Sequence, residues 1–290
     1  MADLVLITGA TGQVGSALVS RLVDRGTPVR CLVRDPKRLG PERVRVQIAL
    51  GDLTDPPSFR NAMRGVQTVV HLAASARDQH GGSIEELNAI ATWRMVDAAE
   101  RARVERFVYF SALGATTHHR TRLRRSKALA ERVVRDSALA STIFAPSLLY
   151  ARGGRWLDAH ARMALLPAVP MSGLGRARFQ PMWAPDAADC VLAALDRVDP
   201  PARVELAGPD VLSHAEMVRL ATRNRPLLPV PTPVARGALR LAETALPGGL
   251  PLTWDEAELL EVTTVTPDGP RDAQALGVQP RAMAEVLSAV

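Results

Sequence analysis

The sequence has few cysteines and few tyrosines, with two of each among its 290 residues. Two cysteines are too few for the disulfide framework on which small secreted proteins depend. Cys31 lies in a predicted strand and Cys190 in a predicted helix, where free thiols pack as small apolar groups. We therefore expect a reducing, cytoplasmic environment.

Long hydrophobic runs are also absent. No apolar stretch approaches the roughly 18 residues of a membrane-spanning helix, and the N-terminus enters a predicted strand without a signal segment. We therefore expect a soluble protein with no membrane partner. The hydrophobic share of 47% argues against disorder and is enough to bury a core, either as one large domain or as one domain with a small appendage.

Lysine is scarce, since Lys37 and Lys127 are the only two and the other 34 of the 36 basic residues are arginine. A net charge of +6 and an isoelectric point near 10.2 are typical of proteins whose clustered cations neutralise nucleic-acid phosphates. The arginines are scattered along the chain, however, so we interpret their excess as coding bias and do not expect nucleic acid as a partner. Such a role would require the arginines to gather on one face.

What the sequence does contain is a glycine-rich turn near its start. The apolar run from Leu4 to Ile7 predicts a strand buried on both faces, and an amphipathic helix is predicted from Ser16 to Arg25. Glycines allow a sharp turn, and a helix N-terminus presents N–H groups to a phosphate. The spacing is GxxGxxG rather than GxGxxG, so the dinucleotide site is predicted from the strand–turn–helix context. The expected cofactor contacts are Gly9, Thr11, Gly12, Gln13, Val14 and Gly15.

The second predicted strand, residues 29–33, ends where dinucleotide folds select their cofactor. An acidic residue at this place holds the ribose hydroxyls of NAD, whereas an arginine accommodates the 2′-phosphate of NADP. Arg34 occupies the place, and Lys37 and Arg38 follow closely. We therefore predict NADP(H) rather than NAD(H), with Asp35 as the residue that would serve NAD. The alternative interpretation is a solvated basic turn.

Strand and helix patterns alternate through the first half of the chain. Further strands are predicted at 45–50, 68–74 and 107–111, and helices at 57–64 and 83–101. The alternation indicates an α/β fold, a doubly wound parallel sheet with helices on both faces. His71 is expected to pack in its core. Ligands of such sheets lie beyond the carboxyl ends of the strands, where we expect Asp52 and Leu53 beside the adenine, Ala73 and Ala74 beside the cofactor, and Ser111.

Several motifs together resemble the short-chain dehydrogenase/reductase superfamily, in its extended or atypical branch. The motifs are Thr8–Gly15, Leu32–Pro36, Gly51–Leu53, His71–Ala74, Phe107–Ser111, Arg125–Glu131, Ala145–Ser147, Pro185–Asp189 and Glu205–Pro209. Within this branch the chain is most similar to NmrA-like proteins and to the Rossmann-type accessory subunit of respiratory complex I with its bacterial relatives. The closing segment Leu276–Arg281 supports the second comparison.

The resemblance implies a Rossmann fold with an NADP-binding core over residues 1–150. It also implies a small, mostly helical substrate or lid region over 151–290, interleaved with the last strands and the C-terminal helices. Ser111 would hydrogen-bond a substrate carbonyl, although it is equally explained as a small polar residue at a strand end. Lys127 would grip the nicotinamide ribose, and Pro146 would contact the cofactor. No metal-ligand spacing is present, so no metal is expected.

The chain departs from the superfamily pattern at the catalytic acid. Active members carry Tyr-x-x-x-Lys on one helix, where the lysine lowers the pKa of the tyrosine. Lys127 fits this lysine, but four residues before it stands Leu123, which cannot exchange a proton. Tyr109 lies in a predicted buried strand, so it is expected to pack rather than to substitute as the acid. His118 and His119 could supply an acid near neutral pH, but a solvated loop is the expected structure there.

Beyond Pro146, repeated glycines and prolines interrupt the chain, as in an insertion that builds a substrate wall. The large apolar residues that would either line a pocket or pack in a core are Trp156, Met163, Met171, Met182 and Trp183. Capping boxes predict helices after Ser213 and Thr253. An amphipathic helix predicted over 234–246 would either form a partner surface or cover the sheet.

Two functions are consistent with these observations. The first is an NADP(H)-dependent oxidoreductase that acts on a small apolar carbonyl or enone without the usual tyrosine. The alternative is a non-catalytic NADP(H)-binding sensor, regulator or assembly factor with a protein partner. An enzyme should have an enclosed apolar pocket at the nicotinamide end with Ser111 exposed in it, whereas a sensor should have that end collapsed or blocked.

Overall fold

The computed structural model describes residues 3–246, 250 and 252–288. Its strands are β1 (Leu4–Thr8), β2 (Val29–Val33), β3 (Gln47–Leu50), β4 (Val66–His71), β5 (Arg106–Phe110), β6 (Ala140–Pro146), β7 (Leu148–Tyr150), β8 (Val169–Ser172), β9 (Arg178–Phe179), β10 (Pro181–Trp183), β11 (Arg203–Leu206), β12 (Leu212–Ser213) and β13 (Leu227–Val230). Its α-helices are α1 (Gln13–Asp24), α2 (Pro56–Phe59), α3 (Ala91–Arg101), α4 (Arg122–Asp136), α5 (Arg155–Met163), α6 (Ala184–Leu195), α7 (His214–Ala221), α8 (Thr232–Ala245), α9 (Trp254–Leu259), α10 (Arg271–Ala275) and α11 (Met283–Ser288).

Seven strands of the described chain form one parallel sheet in the order β3–β2–β1–β4–β5–β6–β11. The chain builds outward from β1 to β3 and then returns to place β4 on the other side of β1. This reversal leaves a crevice beyond the carboxyl ends of β1 and β4, which is where doubly wound sheets bind ligands. The predicted fold class is confirmed.

The first strand is buried on both faces, as its unbroken apolar run predicts. Because successive side chains of a strand alternate in direction, Val5 and Ile7 pack into the layer that contains α1 and α6, and Leu4 and Leu6 pack into the layer that contains α3 and α4. Helices therefore cover both faces of the sheet. The positions of the strand ends are fixed by two hydrophobic layers rather than one.

Both cysteines are buried free thiols, as expected. Cys31 lies in β2 and Cys190 in α6, and burial raises the pKa of each thiol to about 12. They serve as small apolar residues in the layer around α1.

Several predicted boundaries move by a few residues. Helix α1 begins at Gln13 rather than Ser16, because the glycine turn ends at Gly12, which is the N-cap. The helix predicted over 83–101 opens with a π-helical turn, Glu86–Ile90. Within this turn the buried amide of Asn88 donates to the carbonyls of Ser75 and Ile84, at 2.8 and 2.7 Å.

The C-terminal part contributes both to the main sheet and to a smaller unit. Strand β11 extends the sheet, and α6 packs in the same layer as α1. Strands β8 and β13 form a separate parallel pair with its own small core, in which Trp156 and Met163 pack against buried Met171. The division of the chain at residue 150 stays a prediction.

The predicted capping boxes are confirmed at the N-termini of α7 and α9, where Ser213 pairs with Glu216 and Thr253 with Glu256. The helix predicted over 234–246 is α8. No helix of the described residues combines the length and the apolar character needed to cross a membrane.

Candidate functional site

The glycine-rich turn allows three backbone segments to approach one another closely. Gly9 has a φ of +70°, and a Cβ added there would lie 2.7 Å from the Ala73 nitrogen. A Cβ on Gly15 would lie 2.2 Å from the Gly9 carbonyl oxygen. Larger residues would therefore separate β1, the first turn of α1 and the end of β4. The two glycines pack the crevice tightly at its base.

The N-terminus of α1 opens into this crevice. Its N-cap is Gly12, whose nitrogen donates to the Gly9 carbonyl at 2.9 Å, and no side chain caps the helix. The first turn contains no acidic residue. Uncapped first-turn N–H groups and the positive end of the helix dipole favour an anion. This arrangement suits a pyrophosphate.

A cleft of about 1700 Å³ extends from this turn along the carboxyl ends of the strands. The predicted cofactor residues that line it are Gly9, Thr11, Gly12, Gln13, Arg34, Asp52, Leu53, Ala73 and Ala74. The predicted residues outside its lining are Val14, Gly15, Lys37, Ser111, Lys127 and Pro146. Val14 packs in the core and Gly15 beneath the turn, so these two shape the site from behind.

The end of the cleft beside β2 is lined by two arginines, Arg34 and Arg38, and by two aspartates, Asp35 and Asp52. Arg34 is exposed, its Nη1 lies 3.9 Å from Asp52 Oδ2, and it donates to Gln79 Oε1 at 3.3 Å. Arg38 lines the cleft together with Arg34, whereas Lys37 does not. Asp35 caps the 3₁₀ helix that follows β2, accepting from the Lys37 backbone nitrogen at 3.0 Å. The carboxylate that would serve NAD thus has a local structural role.

Asp52 is held in a fixed orientation at the end of β3. Its Oδ1 accepts from the Thr54 nitrogen at 2.9 Å and from the Thr54 hydroxyl at 2.8 Å. Its other carboxylate oxygen remains on the side of Arg34. The pair therefore offers a cation and an acceptor side by side.

A buried polar chain supports the crevice between β1 and β4. His71 Nδ1 is 2.7 Å from the Thr8 hydroxyl, and Nε2 is 3.1 Å from the Thr92 hydroxyl. Because Thr92 donates its proton to the Asn88 carbonyl at 2.6 Å, it accepts from His71 Nε2–H, and Nδ1 accepts from Thr8. Burial, with the charge of Lys127, lowers the pKa of His71 to about 3. The expectation that His71 is a core residue is confirmed.

Lys127 is directed into the protein rather than into the cleft. Its Nζ donates to the Phe110 carbonyl at 2.5 Å and lies 4.8 Å from the centre of the Tyr109 ring. Burial lowers the pKa of Lys127 to about 7, against a smaller opposing effect of Glu131. Tyr109 is fully buried, stacks on His71 at 5.9 Å and has its pKa raised by burial. It is a packing residue, as predicted.

Ser111 is also buried, with 5% of its surface exposed. Its nitrogen donates to the Phe144 carbonyl at 2.7 Å, while its hydroxyl has no hydrogen-bond partner among the described residues. Thr264, from a later segment, accepts at its hydroxyl from Arg124, which is on α4, and at its carbonyl from the Ser147 hydroxyl at 2.5 Å, just beyond β6. Ser111 and Lys127 are thus both buried and both outside the lining of the cleft.

The loop before α4 holds its histidines locally. His119 Nδ1 accepts from the Thr121 nitrogen at 3.1 Å, and burial together with nearby arginines lowers its pKa. His118 is exposed. Leu123 is half-buried in the first turn of α4.

Several residues of the cleft wall were not singled out from the sequence. They are the 75–81 segment beyond β4, the 151–155 segment before α5, and Asp255 at the start of α9. Arg77 makes an ion pair with Glu256, which also lies 3.5 Å from Arg155. Of these residues, Gly153 and Gly154 gave a local signal in the sequence, as glycines that interrupt the chain. The other residues gave none, because the segments that meet in this wall are far apart in sequence.

Comparison with known proteins identifies the family. A model of NAD(P)H-binding domains matches residues 9–156, just over half of the chain. The chain belongs to this NAD(P)H-binding family. The match begins at the glycine turn and contains Arg34, Asp52 and Lys127. The predicted Rossmann-type resemblance is thereby confirmed for the cofactor-binding half.

Two relatives extend the comparison. The chain is 29% identical over 141 residues to photosystem II assembly factor Ycf39 of Cyanophora paradoxa, which covers 48% of this chain and 44% of that protein. It is 27% identical to the mitochondrial NADH dehydrogenase (ubiquinone) 1 alpha subcomplex subunit 9 of Mus musculus, over 94% of this chain and 76% of that one. The second match confirms the predicted resemblance to the complex I subunit. The chain spans less than half the length of the first.

A solved structure shares the fold over nearly its whole length. It is the NADPH-dependent quinone oxidoreductase QOR2 of Escherichia coli in complex with NADPH, with a TM-score of 0.75, 19% identity and coverage of 98% and 99% of the two chains. At this identity the likeness concerns the fold. Among the described residues, no group of three or more His, Cys, Asp or Glu side chains is arranged to hold a metal.

Proposed function

We propose that the protein binds NADP(H) as a sensor or accessory protein and does not turn it over. The observation that carries the proposal is the position of the cleft, which exposes the glycine turn, Arg34 and Arg38 but leaves out Ser111 and Lys127. The motifs of the sequence favour an oxidoreductase first and a sensor or accessory protein second. The burial of Ser111 and Lys127 supports the second of these functions.

The residues present fit an NADP(H) molecule. Gly9 and Gly15 leave a cradle that a Cβ would fill, and the uncapped N-terminus of α1 suits the pyrophosphate. Arg34 and Arg38 would hold the 2′-phosphate, since arginine forms charge-assisted hydrogen bonds to phosphate. Asp52 would accept from the adenosine half. The reduced cofactor would bring a transferable hydride to the site, but Leu123 stands where the superfamily has its proton donor.

The relatives support a role in protein assembly. One is named an assembly factor and another a subunit of a respiratory complex. A dinucleotide that is bound without being consumed would stabilise the folded cleft, and it would report the redox state of its pool through a difference in affinity between its oxidised and reduced forms.

The decisive experiment titrates the purified protein with NADPH and NADH, followed by nicotinamide fluorescence, and then adds quinones, enones and aldehydes. We expect NADPH to bind more tightly than NADH and to persist without oxidation. Arg34→Ala should weaken NADPH binding by roughly 10–100-fold, the value of a charge-assisted contact, and leave NADH within about twofold. Lys37→Ala is the matched control, because Lys37 lies outside the cleft lining. Equal losses for both cofactors would refute the selectivity.

A second candidate function is the NADP(H)-dependent oxidoreductase. It is favoured by the buried Ser111 hydroxyl, which has no partner among the described residues and would gain one from a substrate carbonyl. Sustained NADPH oxidation by one compound of the panel, lost in Ser111→Ala, would overturn the sensor proposal in favour of the enzyme.

A further inference from the structure

The excess positive charge of the chain is concentrated in two stretches, residues 159–179 and 217–242, which we call the arginine module. They contain eight arginines and no lysine, aspartate or glutamate, whereas the rest of the chain has 28 basic and 30 acidic residues. The arginines are Arg162, Arg176, Arg178, Arg219, Arg223, Arg225, Arg236 and Arg240. The net charge of the protein therefore arises in this module.

The two stretches fold into one unit. Strand β8 pairs with β13, the Val169 nitrogen donates to the Pro226 carbonyl at 2.8 Å, and Arg225 Nε donates to the Ala164 carbonyl at 3.0 Å. All eight arginines are exposed, and within the described chain none of them pairs with a carboxylate. Arginines elsewhere do pair, as Arg21 does with Asp189. The module thus carries eight exposed arginines and no acidic residue of its own. The nearby acids belong to neighbouring segments: Glu216 acts on Arg178 and Arg219 through its charge, and Glu258 and Glu261 line a shallow pocket together with Arg236 and Arg240.

Large aliphatic side chains are exposed on the same unit. Helix α8 has no buried residue, and its Val234 and Leu241 are 59% and 72% exposed. The spacing of four and three residues places Val234, Ala238 and Leu241 on one face of the helix. Leu165, after α5, is 85% exposed. The acid on α8, Glu243, is engaged with α9, since it accepts from the Trp254 nitrogen at 2.5 Å.

We propose that the arginine module binds the surface of an anionic phospholipid bilayer, with α8 lying in the headgroup layer. Exposed aliphatic groups insert at the boundary of the acyl chains, while arginines attract the lipid phosphates. A single-stranded nucleic acid would share the charge but binds largely by stacking its bases on aromatic rings, and the aromatic residue of the module, Phe179, is buried. The exposed aliphatic groups favour a bilayer over a duplex, which arginines bind through phosphates alone. The proposal departs from the expectation of no membrane partner, which was drawn from the lack of a membrane-spanning run; a helix that lies on the bilayer surface needs no such run.

The test is flotation of the purified full chain with vesicles of phosphatidylcholine alone and vesicles containing an equal share of phosphatidylglycerol. We expect binding to the anionic vesicles only, weakened by salt. The double variant Arg236→Gln/Arg240→Gln should reduce partitioning by about 25-fold, because each arginine contributes about fivefold near such a surface. Leu241→Ser should reduce it by about tenfold.

Matched controls separate the surface from total charge and hydrophobicity. Arg43→Gln/Arg60→Gln removes two exposed arginines outside the module, and Val198→Ser removes an exposed aliphatic group elsewhere. If the module is the contact, both should bind within about twofold of wild type, a smaller change than the roughly fivefold loss expected for one arginine of the module. Equal losses in controls and module variants, or no vesicle binding, would overturn the proposal. Binding to an RNA oligomer that is lost in the Arg236 variant and retained in Leu241→Ser would also overturn it. So would a protein that binds no vesicles but self-associates through Leu241, as shown by loss of self-association in Leu241→Ser.

Discussion

Replacing glycine by alanine should destabilise the protein at Gly15, in the glycine turn, and stabilise it at Gly237, in α8. Gly15→Ala places a methyl group 2.2 Å from the Gly9 carbonyl oxygen and 2.8 Å from the Ala10 Cα. Both neighbours are backbone atoms, so neither can rotate away. Gly237→Ala makes the same substitution in α8, where a Cβ meets nothing within 4 Å.

The expected magnitudes follow from the two environments. Alanine is favoured over glycine inside a helix by about 1 kcal/mol, which is the whole effect at position 237. At position 15, overpacking costs about 1–3 kcal/mol, and a backbone clash belongs at the upper end. We therefore expect Gly15→Ala to lose about 2 kcal/mol net and Gly237→Ala to gain up to about 1 kcal/mol.

Thermal unfolding followed by circular dichroism measures both effects. For a chain of this size, a change of 1 kcal/mol corresponds to about 2 °C in Tm. Gly15→Ala should therefore unfold about 4 °C below wild type, and Gly237→Ala about 2 °C above it. NADPH binding should weaken in Gly15→Ala alone, because the displaced turn carries the helix N-terminus. If Gly15→Ala retains the Tm and the NADPH affinity of wild type, the close packing of Gly9 on Gly15 does not support the site.

Two further predictions concern buried groups that titrate. Burial, and to a smaller extent the neighbouring His160, lowers the pKa of His214 to about 4 in the folded protein. The unfolded pKa is about 6.5, so the contribution of this histidine to stability is complete above pH 6.5 and is lost as the pH falls towards 4. Denaturant unfolding measured between pH 7 and pH 4 should therefore show the free energy of unfolding fall by about 3 kcal/mol because of this group. If the free energy of unfolding of His214→Gln falls with pH as steeply as that of wild type, His214 is not the group responsible. Cys31 and Cys190, with pKa values raised by burial to about 12, should react with a thiol reagent only after unfolding; rapid labelling of the native protein would show that one of them is accessible.

The fold was predictable because its signals are local. The apolar run of β1, the glycines that follow it and the alternation of strands with helices each act within about twenty residues, and parallel sheets tolerate few other arrangements of such elements. The same holds for Arg34, whose place directly follows a strand end. The helix starts at Ser213 and Thr253 were predictable because a capping box needs only four residues.

The details of the site were less predictable because they depend on contacts between distant residues. Whether Lys37 or Arg38 faces the cleft is decided by the direction of the 3₁₀ helix that Asp35 caps. Arg77 and Glu256 are 179 residues apart in sequence and meet across the cleft. Ser111 is buried at the end of β5, and Thr264, far along the chain, joins α4 to the segment after β6 through hydrogen bonds with Arg124 and Ser147.

The sequence by itself determined the strand–glycine–helix unit of this protein, in which the helix N-terminus suits a dinucleotide phosphate. It also determined that Leu123 stands where related enzymes have their tyrosine acid. Only the tertiary structure decided that Ser111 and Lys127 are buried and that the two stretches with the eight exposed arginines fold into one unit. The physical reason is the range of the interactions. Backbone conformation and strand burial follow from neighbouring residues, whereas burial of a side chain and the field of many charges follow from all the segments that the fold brings together.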